Sequence, residues 1–277
     1  MVRTLGTHAA FVVAFVMTLF FTATVQTAMV QSLPRIGIVV MHGKGGAPTK
    51  FVAELVASLE AKGYLVANLE MPWSGRRDYD ATVAEADKEV ESALDTLRAT
   101  GATRLFVAGH SQGGLFALHF GGKHAVDGII AMAPGGNVGG AIVREKLGES
   151  VEHARKLIAA GQGNEKARFL DFESSRGTYP IVCTPAAYLD WFDPDGAMNQ
   201  SLAVRNVNSR IPVLFVAPKG DYPGLRKVKQ AMFDALPPHP LTRLHEPDSS
   251  HLGAPSAALD EILRWTAEVA AQSSRRP

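Results

Sequence analysis

The residues best placed to do chemistry together lie in Leu105–Leu118, LFVAGHSQGGLFAL, of this 277-residue sequence. Gly109-His110-Ser111-Gln112-Gly113 joins a β-rich run to a helical pattern. A serine on such a sharp strand-to-helix turn presents its hydroxyl outward, and small residues flank it because side chains there would collide with neighbouring backbone. The N-terminus of the following helix aims backbone N–H groups and the positive end of its dipole at the same point. A serine hydroxyl is a poor nucleophile at neutral pH and needs a base within hydrogen-bond reach. Neutral imidazole suits that task. A carboxylate behind the imidazole fixes its tautomer and stabilises the imidazolium. The bland alternative is a glycine-rich turn with an idle serine.

The elements around this turn alternate short strands with longer helices from Leu33 onward, the signature of a parallel sheet with helices on both faces. Arg35–Met41 reads as a fully buried strand, continuous and β-branched. Thr49–Lys62 has apolar residues at helical spacing, and Tyr64–Leu69 is the second strand. Asp80–Thr100 is a long amphipathic helix, Arg104–Ala108 the third strand, Gly113–Lys123 the next helix and Ile129–Ala133 the fourth strand. Gly135–Asn208 breaks the rhythm. It holds glycine clusters, one helix over Glu149–Ala160 and no clear strand, and reads as an insertion or lid. Pro212–Ala217 (strand), Gly224–Leu236 (helix), Leu241–His245 (strand) and Ser256–Ala271 (helix) restore the alternation. The expected fold class is α/β: one domain over residues 33–277 with about six mostly parallel strands and an insertion after the fourth.

With Gly-His-Ser-Gln-Gly-Gly at 109–114 in that setting, the sequence resembles the α/β-hydrolase superfamily of lipases and esterases over essentially all of Arg35–Ala271. The resemblance implies a triad in the chain order serine, acid, histidine. The acid follows the strand after the insertion, which matches Asp221 in Pro218-Lys219-Gly220-Asp221. The histidine follows the last strand, which matches His251. Asp221 could instead be a turn or helix-cap residue. Asp248 competes for the role of acid from the loop that carries His251. Met41-His42-Gly43-Lys44-Gly45-Gly46 resembles the family's first loop, whose backbone completes the oxyanion hole. By that analogy the donors are the amides of Lys44 and Gln112. The Lys44 side chain departs from the apolar residue often found there; it points to solvent or senses substrate charge.

His42, Trp73, Trp191 and Phe192 are candidates to line a substrate pocket. Packing of the insertion onto the core explains the aromatics equally well. Phosphate-loop spacings are absent, as are the histidine and cysteine spacings of zinc sites, so neither a cofactor nor a metal is expected. The single cysteine, Cys183, cannot form an internal disulfide and reads as a buried, inert thiol.

The formal net charge of +1 excludes a large electrostatic footprint for nucleic acid. Residues 1–32 differ in kind from the rest. Met1–His8 carries Arg3 and no acid, and Ala9–Val25 is free of charge and apolar. This is the pattern of a secretory signal, and it implies export to the periplasm or the exterior. An uncleaved N-terminal anchor is the alternative, since the apolar run of about 17 residues is near the minimum for a bilayer. The expected partner is a small-molecule ester, with membrane contact only through that segment. The expected activity is hydrolysis of a carboxylic ester through an acyl-enzyme. Thioesterase, amidase and acyltransferase reactions use the same parts, and a non-catalytic binding protein on this fold is the rival of another class.

Overall fold

The computed structural model describes residues 34–273. The segment read as a signal or anchor lies outside the described residues, within which no helix is long and apolar enough to cross a membrane.

Six strands form one parallel sheet: β1 (Ile36–Met41), β2 (Leu65–Leu69), β3 (Arg104–His110), β4 (Gly128–Met132), β7 (Val213–Val216) and β8 (Arg243–His245). Their spatial order is β2-β1-β3-β4-β7-β8. Every pair along it is parallel. The crossovers are helical: α1 (Ala53–Ala61), α2 (Val83–Ala99), α3 (Gln112–Gly121) and α7 (Pro223–Asp234). The chain ends on α8 (Ala254–Ala257) and α9 (Leu259–Ser273), so the single terminal helix expected from Ser256 is split in two.

The central strands are apolar at nearly every position because both faces of the sheet are covered. Alternate residues feed two separate cores. Val39, Val107, Ile129 and Phe215 belong to one, with α2, α3 and the insertion packed against it. Ile38, Phe106, Ile130 and Leu214 belong to the other, beneath α1 and α9, where Trp265 is fully buried. The split follows from the two-residue period of a strand. Each such Val, Leu, Ile or Phe contributes roughly 1.5–3 kcal/mol by leaving water. Local signals set the helix ends. Thr82 and Glu85 form a reciprocal capping box at the start of α2, and Pro185 occupies the first turn of the short α5 (Pro185–Phe192) behind the capping Thr184.

The insertion lies between β4 and β7 and comprises α4 (Ala141–Ala159), β5 (Ala167–Glu173), β6 (Gly177–Cys183), α5 and α6 (Gln200–Arg205). The expectation of no strand here is corrected. β5 and β6 pair antiparallel from Ala167↔Cys183 to Glu173↔Gly177 as a hairpin sheet of their own. Along β5, Phe169 and Asp171 are buried while Arg168 and Leu170 are exposed. The alternation is regular, but a carboxylate occupies an inward position and hides the apolar period. In β6, Pro180 stands at a position where a central strand would need an N–H donor. The helix expected from Glu149 begins eight residues earlier, at Ala141.

Candidate active site

Ser111 sits between the end of β3 and the first turn of α3 with φ 54° and ψ −115°. A non-glycine residue held there is strained and persists only where surrounding structure over-determines it. The constraints are visible. The Ser111 N–H donates to the Met132 carbonyl oxygen at 2.9 Å, and the Ser111 carbonyl accepts from Gly135 at 3.0 Å and Leu115 at 3.1 Å. A Cβ on Gly109 would strike the backbone of Gly113, and a Cβ on Gly113 would lie 2.6 Å from the Met41 carbonyl oxygen. The two flanking glycines are thus needed for the close packing of β1, β3 and α3 that creates the turn.

The loop after β8 brings His251 to the same cavity. Its Nδ1–H donates to Asp221 Oδ1 at 2.7 Å, and both side chains are buried. With the ring proton on Nδ1, the lone pair of a neutral imidazole is on Nε2, the atom that can act as a base. Asp221 arrives on the loop after β7, and its Oδ1 also accepts the Tyr222 N–H at 2.7 Å. A parallel bridge between Gly220 and Ser250 ties the two loops together. Asp248 is exposed and makes no contact of this kind with His251.

Two neighbours of His251 escaped the sequence reading as contacts. Tyr222 stacks on its ring at 4.3 Å and 28° while staying exposed at the cavity wall. His110, within the turn, donates through Nε2–H to the His251 carbonyl oxygen at 2.9 Å. Burial, followed by the neighbouring His251, lowers the His110 pKa to about 4.

The first loop lies against Ser111. A Cβ on Gly43 would stand 3.1 Å from the Ser111 Cβ. The amides of Lys44 and Gln112 donate to no loop carbonyl among the described residues, so both are open to another acceptor. The Lys44 side chain follows neither course expected of it. It turns into the insertion, where Nζ donates to Asp171 Oδ1 at 2.5 Å.

Ser111, His251, Lys44 and Gln112 share one cavity of about 620 Å³. Val138 and, from α4 and α7, Ile142, Val143, Leu147, Leu225 and Val228 give it a broad apolar wall. Lys50, Glu173, Ser174 and Ser175 add polar groups from the turn before α1 and from the hairpin tip. Of the four pocket candidates, His42 and Phe192 line this space. His42 is buried, and both its ring nitrogens are engaged: Nδ1 with the Gly43 carbonyl at 2.7 Å and Nε2 with the Met71 N–H at 3.1 Å. Burial lowers its pKa. Trp73 and Trp191 are corrected to packing residues. Their indole N–H groups donate to the carbonyls of His42 and Ala81, and the rings meet edge to face at 5.4 Å between insertion and core. Among the described residues no group of three or more His, Cys, Asp or Glu could hold a metal ion.

A serine on a strained turn, a histidine oriented by a carboxylate and two open amides beside a partly apolar cavity make the parts for nucleophilic acyl transfer. Comparison with known proteins identifies the family and the fold. The model of the alpha/beta hydrolase family matches residues 38–268. No curated protein matches the sequence. A structure reported for LipS and LipT, two metagenome-derived lipolytic enzymes, is 19% identical, covers 86% of this chain and 93% of that one, and has a TM-score of 0.55. The monoacylglycerol lipase of Paleococcus ferrophilus is 18% identical over 85% of this chain and 94% of that one, at a TM-score of 0.56. DcsB, in complex with its substrate analogue, is 14% identical over 87% and 92%, at 0.64.

Proposed function

The chain belongs to the alpha/beta hydrolase family, and on that premise we propose that it is a serine hydrolase that cleaves a carboxylic ester through an acyl-enzyme. One observation carries the reading. Ser111 holds a strained left-handed backbone at the edge of a cavity that also receives His251, whose Nδ1–H is committed to Asp221. A turn of that cost is retained where a hydroxyl must be presented.

In this reading Ser111 Oγ attacks the ester carbonyl carbon as His251 Nε2 takes the hydroxyl proton. The carbonyl oxygen becomes an oxyanion and accepts hydrogen bonds from the amides of Lys44 and Gln112. Such preorganised donors contribute on the order of a hundred- to a thousandfold each in rate. Asp221 holds the imidazole in the required tautomer and stabilises its charged form. The C–O bond to the alcohol breaks, and the alcohol leaves with the proton from Nε2. Water, losing a proton to the same nitrogen, attacks the acyl-serine carbonyl. The acid departs, and Ser111 regains its proton. The apolar wall on α4 and α7 receives the acyl chain. The substrate is a small-molecule ester, and the N-terminal segment directs the enzyme out of the cytoplasm.

Labelling with a fluorophosphonate probe, paired with nitrophenyl ester turnover, tests this. Wild type labels at Ser111 and hydrolyses; Ser111→Ala does neither, losing several orders of magnitude in rate. A folded Ser111→Ala protein with more than about a tenth of wild-type turnover refutes the mechanism. A wild type that neither labels nor turns over any ester makes the cavity a binding site instead.

A further inference from the structure

We propose that Asp171, on strand β5 of the insertion, is a positioning residue for the oxyanion hole, holding the Lys44 and Gln112 amides in register with Ser111 through Lys44 and Tyr79. The proposal rests on the serine-hydrolase reading above and adds to it a residue on strand β5, far in sequence from the nucleophile and the base.

The Asp171 carboxylate is completely buried. Four donors converge on it. Oδ1 accepts from Lys44 Nζ at 2.5 Å and from the Phe172 N–H at 2.6 Å. Oδ2 accepts from the Tyr179 hydroxyl at 2.8 Å and the Tyr79 hydroxyl at 3.1 Å. Lys44 Nζ is further fixed by the Phe172 carbonyl at 3.3 Å and lies 5.5 Å from the centre of the Phe192 ring. The Tyr79 oxygen, in turn, meets the carboxamide of Gln112 at 3.5 Å. Both residues whose amides would hold the oxyanion are therefore connected by side chain to one carboxylate.

The first loop needs such a tie. Gly43, Gly45 and Gly46 surround Lys44, and glycine costs the most conformational entropy to order. Backbone bonds from Gly45 to Trp73 and from Gly46 to Gly43 shape the turn. Within 43–46 only Lys44 has a side chain, and it spends that side chain on Asp171. Donors that stabilise a developing charge must be held to within about half an ångström.

The loop after β2 shows the same commitment. Asp78 and Tyr79 are consecutive non-glycine residues with φ 51° and 58°. Asp78 Oδ2 accepts the Val182 N–H of β6 at 2.7 Å, and Tyr79 reaches Asp171 on β5. Two strained residues in a row deliver two side chains to the hairpin. Burial and the Asp171 charge push the Tyr79 phenol well above its ordinary pKa, so it stays protonated and acts as a donor.

Anchoring the insertion alone does not require this arrangement. A buried ion pair is weak evidence for stability, since well-packed apolar residues of similar volume often do as well or better. The two roles therefore separate in a double variant, Lys44→Met with Asp171→Asn, which removes both charges at once yet leaves a side-chain amide to bond the Phe172 N–H and the tyrosine hydroxyls.

The test compares full-length wild type, Asp171→Asn, Tyr79→Phe and the double variant. Measured are thermal unfolding, kcat and KM on a nitrophenyl ester, and the affinity of an alkyl boronic acid, which forms a tetrahedral adduct on the serine. Asp171→Asn should lower kcat about tenfold or more with KM nearly unchanged, and weaken the boronic acid in proportion. The double variant should melt near wild type yet show the same loss of kcat. Tyr79→Phe should lose severalfold. Should Asp171→Asn fail to fold, the other two variants decide. Wild-type kcat and boronic acid affinity in the folded variants, with any effect confined to thermal stability, would overturn the proposal. Failure of the wild type to label with a fluorophosphonate would instead overturn the serine-hydrolase reading itself.

Discussion

The imidazoles of His110 and His251 lie 4.9 Å apart, and the Nε2–H of His110 is spent on the backbone carbonyl of His251. This places a second histidine, neutral and buried, directly behind the proposed base. Among the described residues its Nδ1 has no hydrogen-bond partner, so a proton added there would be a buried charge without an acceptor.

The consequence is a pH dependence of folding. His110 titrates near 4 in the folded protein, against 6.5 as its ordinary value, chiefly through burial and then through His251. Asp221 pulls the other way and His42 adds slightly to the depression. A depressed histidine takes up its proton on unfolding, so its contribution is complete above pH 6.5 and is lost as the pH falls from there to about 4. The loss is on the order of 3 kcal/mol at the acid end. His110→Gln should flatten that part of the stability profile relative to wild type, measured by urea unfolding between pH 4 and 7. Parallel profiles for the two proteins would show that His110 carries no such linkage.

The identity of the acid gives a second prediction. Asp221→Asn replaces a carboxylate bonded to His251 by an amide that favours the wrong tautomer, and turnover should fall on the order of a thousand- to ten-thousandfold. Asp248→Asn alters an exposed residue and should cost a few-fold at most. Both exchanges are nearly isosteric, so thermal unfolding should remain close to wild type. A dead Asp248→Asn beside a near-normal Asp221→Asn would move the acid to Asp248.

What the sequence disclosed, and what it concealed, divides along physical lines. The central strands were legible because both faces are buried and the residues are uniformly apolar, as in Ile36–Met41. The Ser111 turn was legible because steric crowding forces glycine at 109 and 113. The β5–β6 hairpin was hidden by Asp171, whose burial depends on partners that no local pattern displays. Lys44 lies 127 residues away from it in sequence. Trp73 and Trp191 suggested a pocket wall because large aromatics followed sheet-edge loops. Their N–H groups instead found backbone carbonyls in the core, as buried indoles usually do. Tyr222 leaves one signal in the sequence, its adjacency to Asp221.

Export is the third prediction, and it concerns residues 1–32. An Arg-bearing start followed by Ala9–Val25 without a charge should direct a fused reporter across a membrane. The fusion carries Met1–Gln31 on a reporter active only outside the cytoplasm. Activity supports export, and mass analysis of the mature N-terminus separates cleavage from anchoring. A silent reporter recovered soluble inside the cell would exclude the signal.

The last prediction concerns the acyl chain. The cavity wall contributed by α4 and α7 is apolar, whereas the groups from the hairpin tip are polar. Ile142, Phe51, Leu252 and Tyr222, all exposed, stand among its lining residues and extend the apolar surface outward. Each buried methylene of a bound chain contributes about 0.8 kcal/mol, so KM should fall as the chain lengthens until the wall is covered. Wild type should therefore prefer nitrophenyl esters longer than acetate. Val143→Trp places a large ring on that wall and leaves Ser111, His251, Lys44 and Gln112 themselves unchanged. It should leave acetate turnover within about twofold while raising KM for the longer esters about tenfold or more, roughly what two displaced methylenes cost. The split between KM and kcat is the informative readout. An equal loss on acetate and on long chains would mean that Val143 supports the catalytic geometry. No loss on either would place the acyl group on the polar side of the cavity, beside Glu173 and Lys50.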